Sequence, residues 1–304
     1  MIRLAGAILS GVVQAFLPAL PARDVAALVM LVPLLCALDG ATARTSVLLA
    51  IAYATALGVL AIVPWLAPAL AAYFALPDAR ATAYALALVV VLAVVHGALL
   101  GIFLTLRPRA AGAWQVLWYG ALWALWEALR SYVPPAFPAA ALSASLGDAP
   151  ALLQLASVTG VAGVTAAVVA ANAGIAALLD RAAPRAARLR AAATGLAILA
   201  LTLLWGERRL ATVIDTPADA PVVLAVDPSA RDAAQSTLER LLAATPASDG
   251  KRRDLVLWPE SAITSDLARD RAAWRRLTDF VAHSGVTLVT GGVALALEPG
   301  GGTT

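Results

Sequence analysis

Long apolar runs fill the first two thirds of the chain, and short apolar patches alternating with polar ones fill the rest. The runs lie at 4–20, 24–38, 45–73, 81–105, 112–129, 151–179 and 189–206. A helix that crosses a bilayer needs about 20 apolar residues, so these seven are candidate membrane segments. The first two are short and separated only by Pro21-Ala22-Arg23, which predicts a tight hairpin or two tilted, partly embedded helices. The first also has features of a cleavable signal segment, since Arg3 precedes it and small residues surround Ala22; Gln14 and Pro18 argue against that. After Pro217 the period changes. Residues 222–226, 254–258 and 286–290 read as strands, and 231–243 as an amphipathic helix with Leu238, Leu241 and Leu242 on one side. A second helix is predicted from a cap at Ser265 or Asp266. Its apolar stripe is Leu267, Trp274, Leu277, Phe280 and Val281, and it stops at Gly285. This order, β-α-β-α-β with short apolar strands, predicts a parallel sheet. Residues 1–214 therefore read as a polytopic α-helical membrane domain and 215–304 as an α/β domain.

Charge orients the two parts. Of the 304 residues, 61% are apolar and 13% charged. Residues 1–214 hold 13 Arg and 7 acids, while 215–304 hold 9 Arg or Lys and 12 acids; the net charges of +6 and −3 make up the chain's +3. Arg107 and Arg109 follow the fourth segment, and Arg181, Arg185, Arg188 and Arg190 separate the sixth from the seventh. Such loops stay in the cytoplasm. With Arg3 also inside, seven crossings deliver 215–304 to the outer side of the membrane. Arg208 and Arg209 oppose this but are outnumbered. Basic residues scattered over membrane loops are not the clustered face that binds nucleic acid.

Metal and disulfide chemistry find little support. Cys36 is the single cysteine, His96 and His283 lie far apart, and no HExxH or CxxC spacing occurs. The stretch from Glu127 to Asp148 is apolar but broken by Pro134, Pro135 and Pro138. It reads either as a surface loop or as a re-entrant segment shaping a lipid-facing mouth. Glu127 and Arg130, three apart, suit a local ion pair. Trp114, Trp118, Trp123 and Trp126 suit an interfacial belt with ordinary helix packing, and His96 a neutral packed histidine.

The stretch from Leu255 to Ser261 carries the chemistry. A short apolar strand runs through Trp258-Pro259 into Glu260. Proline fixes its own φ and pushes Trp258 into extended backbone, so a carboxylate would leave a rigid element in a set direction. In parallel sheets, functional groups gather at the carboxyl ends of strands, where both Glu260 and Asp227 fall.

With these residues in view, the chain resembles the apolipoprotein N-acyltransferases, from about residue 15 onward. The resemblance rests on Val32-Pro33-Leu34-Leu35 and Trp65 in the early helices, and on Glu127, Arg130 and Phe137-Pro138. It is densest at Leu153-Gln154-Leu155-Ala156-Ser157 with Thr159-Gly160, Gly163 and Asn172. It closes on 255–263 and 288–292, similar to the first strands of the nitrilase superfamily. It implies an αββα nitrilase-like sandwich, here partial, behind the membrane domain. It also implies transfer of an sn-1 acyl chain from a phospholipid, through a cysteine thioester, to the N-terminal amine of a diacylglyceryl-apolipoprotein. Glu260 would be the general base of a Glu-Lys-Cys arrangement. No cofactor or metal is implied, and the protein would act as a monomer in the membrane.

The pattern also departs from that family. Lys251, the single lysine, precedes the strand and would sit about 20 Å or more from its carboxyl end at about 3.3 Å per residue. Cys36 belongs to the second membrane segment, across a hydrocarbon core of about 30 Å. Ala139 stands where the family usually has Trp, and Asp227-Pro228-Ser229 replaces an amide-rich turn. The chain thus reads as a C-terminally truncated member, expected to be inactive alone. Two rivals stand beside this reading: a nitrilase-type membrane amidase or non-catalytic relative, and a transporter-like bundle with an accessory domain. The transporter predicts ionisable residues buried in mid-helix, and the sequence offers His96.

Overall fold

The structure is a computed structural model that describes residues 1–108, 112–132, 140–212, 220–226, 237–245, 253–259 and 262–293. The chain divides into two compact units, Met1–Val213 and Ile214–Thr304.

The first unit is helical. It runs α1 (Ile2–Phe16), a 3₁₀ turn (Leu17–Ala19), α2 (Arg23–Ala27), α3 (Val32–Leu38), α4 (Ala43–Ala61) and α5 (Val63–Phe74). It continues with α6 (Asp78–Thr105), α7 (Ala113–Tyr132), α8 (Pro150–Leu153), α9 (Ala156–Leu179) and α10 (Arg185–Ala211). Among the described residues, five stretches are long and apolar enough to cross a membrane: 2–19, 43–61, 78–105, 156–179 and 185–211. The 20-residue α7 matches the expected fifth segment in position, but carries Gln115, Glu127 and Arg130.

Three expected segments are interrupted, and proline or glycine marks a break in each. Residues 24–38 split into α2 and α3, the second starting with Pro33 in its first turn. Residues 45–73 split at Ile62, with Pro64 opening α5. Proline lacks the N–H for the preceding turn and its ring crowds that turn's carbonyl, so the helix restarts. Residues 151–179 split after Leu153, and α9 breaks again at Gly160 (φ 67°), a left-handed conformation open to glycine.

α4 packs along α6 and α1, and α9 packs against α7 and α10. Small residues set these approaches: a Cβ on Gly101 of α6 would come within 2.4 Å of the Val47 Cα on α4. Part of the proline-rich stretch enters the core, while Ala144, Gly147 and Asp148 stay exposed. Residues 142–145 form a 3₁₀ turn, and Leu142 and Leu146 are fully buried in the core.

The second unit is built on short strands. β1 (Val223–Ala225) and β2 (Leu255–Leu257) pair in parallel, as expected. Ser265 and Asp266, expected as alternative caps of a helix, instead belong to β3 (Ile263–Asp266). β4 (Thr287–Val289) completes the first sheet in the order β1-β2-β4, and β5 (Gly292–Val293) pairs in parallel with β3. α11 (Thr237–Ala244) covers part of the expected 231–243 helix; residues 227–236 lie outside the described residues. α12 (Arg271–Ser284) starts later than the pattern predicts, because Asp270 is its cap, accepting the Ala273 N–H at 2.9 Å. The Asp266 carboxylate instead accepts the Ala268 N–H, turning the chain out of β3. Gly285 ends α12 as expected, at φ 65°. Val226, Leu238, Leu241, Val256, Trp258, Ala262, Ile263, Ala273 and Leu277 form this unit's core.

Candidate functional site

Glu260, the residue singled out by sequence, lies outside the described residues, as do Lys251 and Asp227. Ser261 also lies outside them, while Pro259 and Ala262, on either side of that pair, are described, and both ends are held. Val256 points into the core while Leu255 and Leu257 are half-buried, so β2 runs with its central side chain sealed. At its carboxyl end the Trp258 N–H donates to the Val289 carbonyl at 2.9 Å, extending the pairing with β4 by one residue. The buried Trp258 ring donates from Nε1 to Thr245 Oγ1 at 3.0 Å. Thr245 in turn donates to the Leu241 carbonyl at 2.6 Å. Phe280 of α12 packs against the indole, with ring centroids 6.1 Å apart. Backbone, ring nitrogen and ring face are thus each fixed by a different element.

Beyond Pro259 the chain folds back. The Ala262 N–H donates to the Pro259 carbonyl at 3.2 Å, and the Ile263 N–H to the Gly291 carbonyl at 3.3 Å. Ala262 and Ile263 are buried. The connection from β2 to β3 is therefore anchored on one side by the indole and on the other by the strand pair β3–β5. Such anchoring on regular elements is what a positioned catalytic carboxylate needs. The second small sheet was not anticipated. Its signal was the β-branched pair Ile263-Thr264, which the apolar spacing of the following helix masked.

A second polar cluster lies inside the helical unit. Glu127 and Arg130 are both 7% exposed, and their charged groups approach to 3.8 Å. Glu127 Oε1 accepts the Leu142 N–H at 2.9 Å and Oε2 accepts the Thr165 hydroxyl at 2.7 Å. The Arg130 guanidinium lies 4.8 Å from the centre of the Trp126 ring. The expected local pair thus forms, but it is buried and ties α7 to α9 and to the 140–149 segment. Trp123 and Trp126 belong to the core, Trp123 meeting Tyr53 edge-on at 5.5 Å, while Trp114 is exposed. The tryptophans divide between packing and surface, as expected of the cluster. His96 is buried, and its carbonyl accepts from Trp126 Nε1 at 2.9 Å.

Further buried polar side chains bridge elements. Asn172 Oδ1 accepts the Leu31 N–H at 2.8 Å, and its amide donates to the Ala27 and Val168 carbonyls. Ser10 Oγ accepts the Leu34 N–H at 3.0 Å. Gln14 accepts the Tyr53 hydroxyl and donates to the Ala140 carbonyl at 3.2 Å. The sequence reading picked out Asn172 but not Ser10, Gln14 or Thr165; an isolated polar residue in an apolar helix was their signal.

Residues 10–174 match the family model described as the apolipoprotein N-acyltransferase N-terminal domain. The chain is 31% identical over 199 residues to an apolipoprotein N-acyltransferase of Rhizobium leguminosarum bv. trifolii, covering 59% of this chain and 35% of that protein. An apolipoprotein N-acyltransferase of Agrobacterium fabrum is 29% identical over 183 residues, covering 56% of this chain and 33% of that protein. That of Bradyrhizobium diazoefficiens is 28% identical over 194 residues, 60% of this chain and 36% of its own. The matches span about a third of the length of these curated relatives.

Proposed function

We propose a function from one premise: the chain belongs to the apolipoprotein N-acyltransferase family, whose N-terminal domain its residues 10–174 carry. The protein is a membrane protein with a helical unit and a small parallel sheet, and its relatives are acyltransferases. On our reading it takes part in N-acylation of lipoproteins. An sn-1 acyl chain passes from a phospholipid to a thiolate, releasing the lysophospholipid. The amine of a diacylglyceryl-cysteine then attacks the thioester and releases the thiolate. Residues 1–214 form the membrane domain, and 215–304 begin a nitrilase-like αββα domain on the periplasmic side of the inner membrane. Glu260 is the general base, taking the thiol proton first and the amine proton later.

The observation that supports this most is the end of β2. Trp258 is locked by β4, Thr245 and Phe280 immediately before Pro259-Glu260, and Ala262 is tied back to Pro259. A solvated loop acid needs no such frame. The lysine that would stabilise the oxyanion and the nucleophilic cysteine are not among residues 1–304, where Lys251 precedes β2 and Cys36 lies in α3. The test therefore uses a protein in which a relative's remaining C-terminal sequence continues residue 304. Glu260→Gln in that protein lowers N-acylation of a diacylglyceryl peptide by on the order of 10²–10⁴. An unchanged rate sinks the assignment of Glu260. An amidase or a non-catalytic relative would keep the frame, but all three relatives are named as acyltransferases, which favours the first reading. The buried Glu127 and Arg130 are paired with each other, and Glu127 is hydrogen-bonded to the Leu142 N–H, so they do not favour the transporter reading.

A further inference from the structure

α12 carries an outward face that the packing of the second unit does not explain. Its inner side buries Ala273 and Leu277 in the core, with Phe280 beside them. Its outer side presents Arg271, Trp274, Arg275 and Thr278, neighbours at helical spacing and all exposed. Trp274 is 52% exposed, the one exposed aromatic side chain among the described residues of this unit. Arg276 pairs with Glu239 and Arg269 with Asp266. Arg271 and Arg275 make no ion pair or hydrogen bond among the described residues, and Asp279, four residues after Arg275, does not pair with it. Arg271 also lies in the first turn of α12, where the helix dipole disfavours a cation. Side chains that break a local rule and gain no partner inside the protein point to a role outside it.

The face lies at a defined end of the unit. β4 runs parallel to β2 and follows α12 directly, so α12 runs against the strands and starts at their carboxyl end. Phe280 packs on Trp258, just past the end of β2, so the turns before Phe280 reach beyond the strand. At about 1.5 Å per residue, Trp274 and Arg271 lie about 9 and 14 Å further along the helix than Phe280. The proposed function places Glu260, acting on lipid, at this same end. We propose that Arg271, Trp274 and Arg275 rest on the bilayer surface and hold the carboxyl end of the sheet toward it. The guanidinium groups take anionic headgroup oxygens, and the indole takes the interfacial layer. Two observations select a lipid surface as the occupant. Residues 215–304 are acidic overall, 9 Arg or Lys against 12 acids, so an anionic surface repels the unit except through a basic face. Residues 212–222 join α10, a candidate membrane span, to β1, so the bilayer is always within reach and a weak contact suffices. The inference deepens the proposed function and rests on it for the place of Glu260.

The test uses the 304-residue chain in nanodiscs of phosphatidylcholine, with or without phosphatidylglycerol, that also hold a lipid with a nitroxide quencher on its headgroup. A fluorophore is placed at Thr278→Cys in a Cys36→Ala background, and for reference at Thr287→Cys, exposed at the amino end of β4. The label at 278 is quenched more than the label at 287, and phosphatidylglycerol widens the difference. Arg271→Gln with Arg275→Gln lowers the ratio of docked to undocked unit about 30-fold, at about fivefold per arginine. Trp274→Ser lowers it as well. Raising the salt to about 0.5 M has the same sense on the unaltered face, which keeps the test decisive where a variant misfolds. Equal quenching at the two positions overturns the proposal, and so does quenching at 278 that survives both the double arginine variant and high salt. Coupling between the 278 labels of two copies in one disc, in place of quenching, assigns the face to a second copy and overturns it too. Acyl transfer is not read at any point, so failure of this docking and failure of Glu260 as the base are separate results.

Discussion

Replacing Glu127 by Gln tests how the helical unit holds its buried charges. The carboxylate carries three interactions: the Leu142 N–H at 2.9 Å, the Thr165 hydroxyl at 2.7 Å and the Arg130 guanidinium at 3.8 Å. An amide can keep the first through its carbonyl and can accommodate Thr165 by reversing that bond. It cannot neutralise Arg130, which is 7% exposed and retains only the Trp126 ring. Removing one partner of a buried pair costs about 3–5 kcal/mol, because the other charge is left uncompensated. The ring offsets part of that, by about 0.5–2 kcal/mol, so Glu127→Gln should cost about 2–4 kcal/mol. Glu127→Gln combined with Arg130→Met removes both charges and should be more stable than Glu127→Gln alone. The assay is equilibrium unfolding in lipid bicelles, with all four corners of the double-mutant cycle. If the double variant loses the sum of the two single losses to within about 0.5 kcal/mol, the residues are independent and the pair is not what holds the site.

Asn172→Leu removes the partners of the Leu31 N–H and the Ala27 carbonyl. It should cost about 2–6 kcal/mol, at about 1–3 for each of the two orphaned groups, and amide exchange at Leu31 should rise with it. Asp270→Ala deletes the cap of α12 and should cost about 1 kcal/mol, read as loss of protection in the first turn of that helix. On the proposed topology, a reporter active only in the periplasm gives signal when fused after Ala220; strong activity there from a cytoplasm-only reporter rejects it.

The two-unit pattern and the parallel pairing of β1, β2 and β4 were legible because they depend on hydrophobic period, which a single sequence carries in full. Helix interruptions were less so. The prolines at 33 and 64 were visible, but each lies in a run apolar enough to be taken as one span, and hydropathy averages over such points. The start of α12 was misplaced because Ser265, Asp266 and Asp270 all suit a cap, and only the tertiary pairing of β3 with β5 selects the last. β2 was readable as a strand that ends just before Pro259. The frame behind it was not, because Trp258, Thr245 and Phe280 are brought together from three elements by folding.

Four buried polar residues of the helical unit, Ser10, Gln14, Glu127 and Asn172, follow one rule. Within a bilayer, a backbone group released by a helix break has no water to bond and must find a side chain. Ser10 meets the Leu34 N–H and Asn172 meets the Leu31 N–H and the Ala27 carbonyl, all at the α2–α3 break. Gln14 meets the Ala140 carbonyl and Glu127 the Leu142 N–H, in the proline-rich stretch. Each partner sits in an unbroken stretch of helix, in α1, in α7 or in α9 beyond Gly160, and faces an interruption remote in sequence. A lone polar residue in an apolar helix therefore announces a broken helix elsewhere in the chain, without saying where. Arg23 also pairs with Asp148, so the connection after α1 and the stretch before α8 are tied together by charge as well.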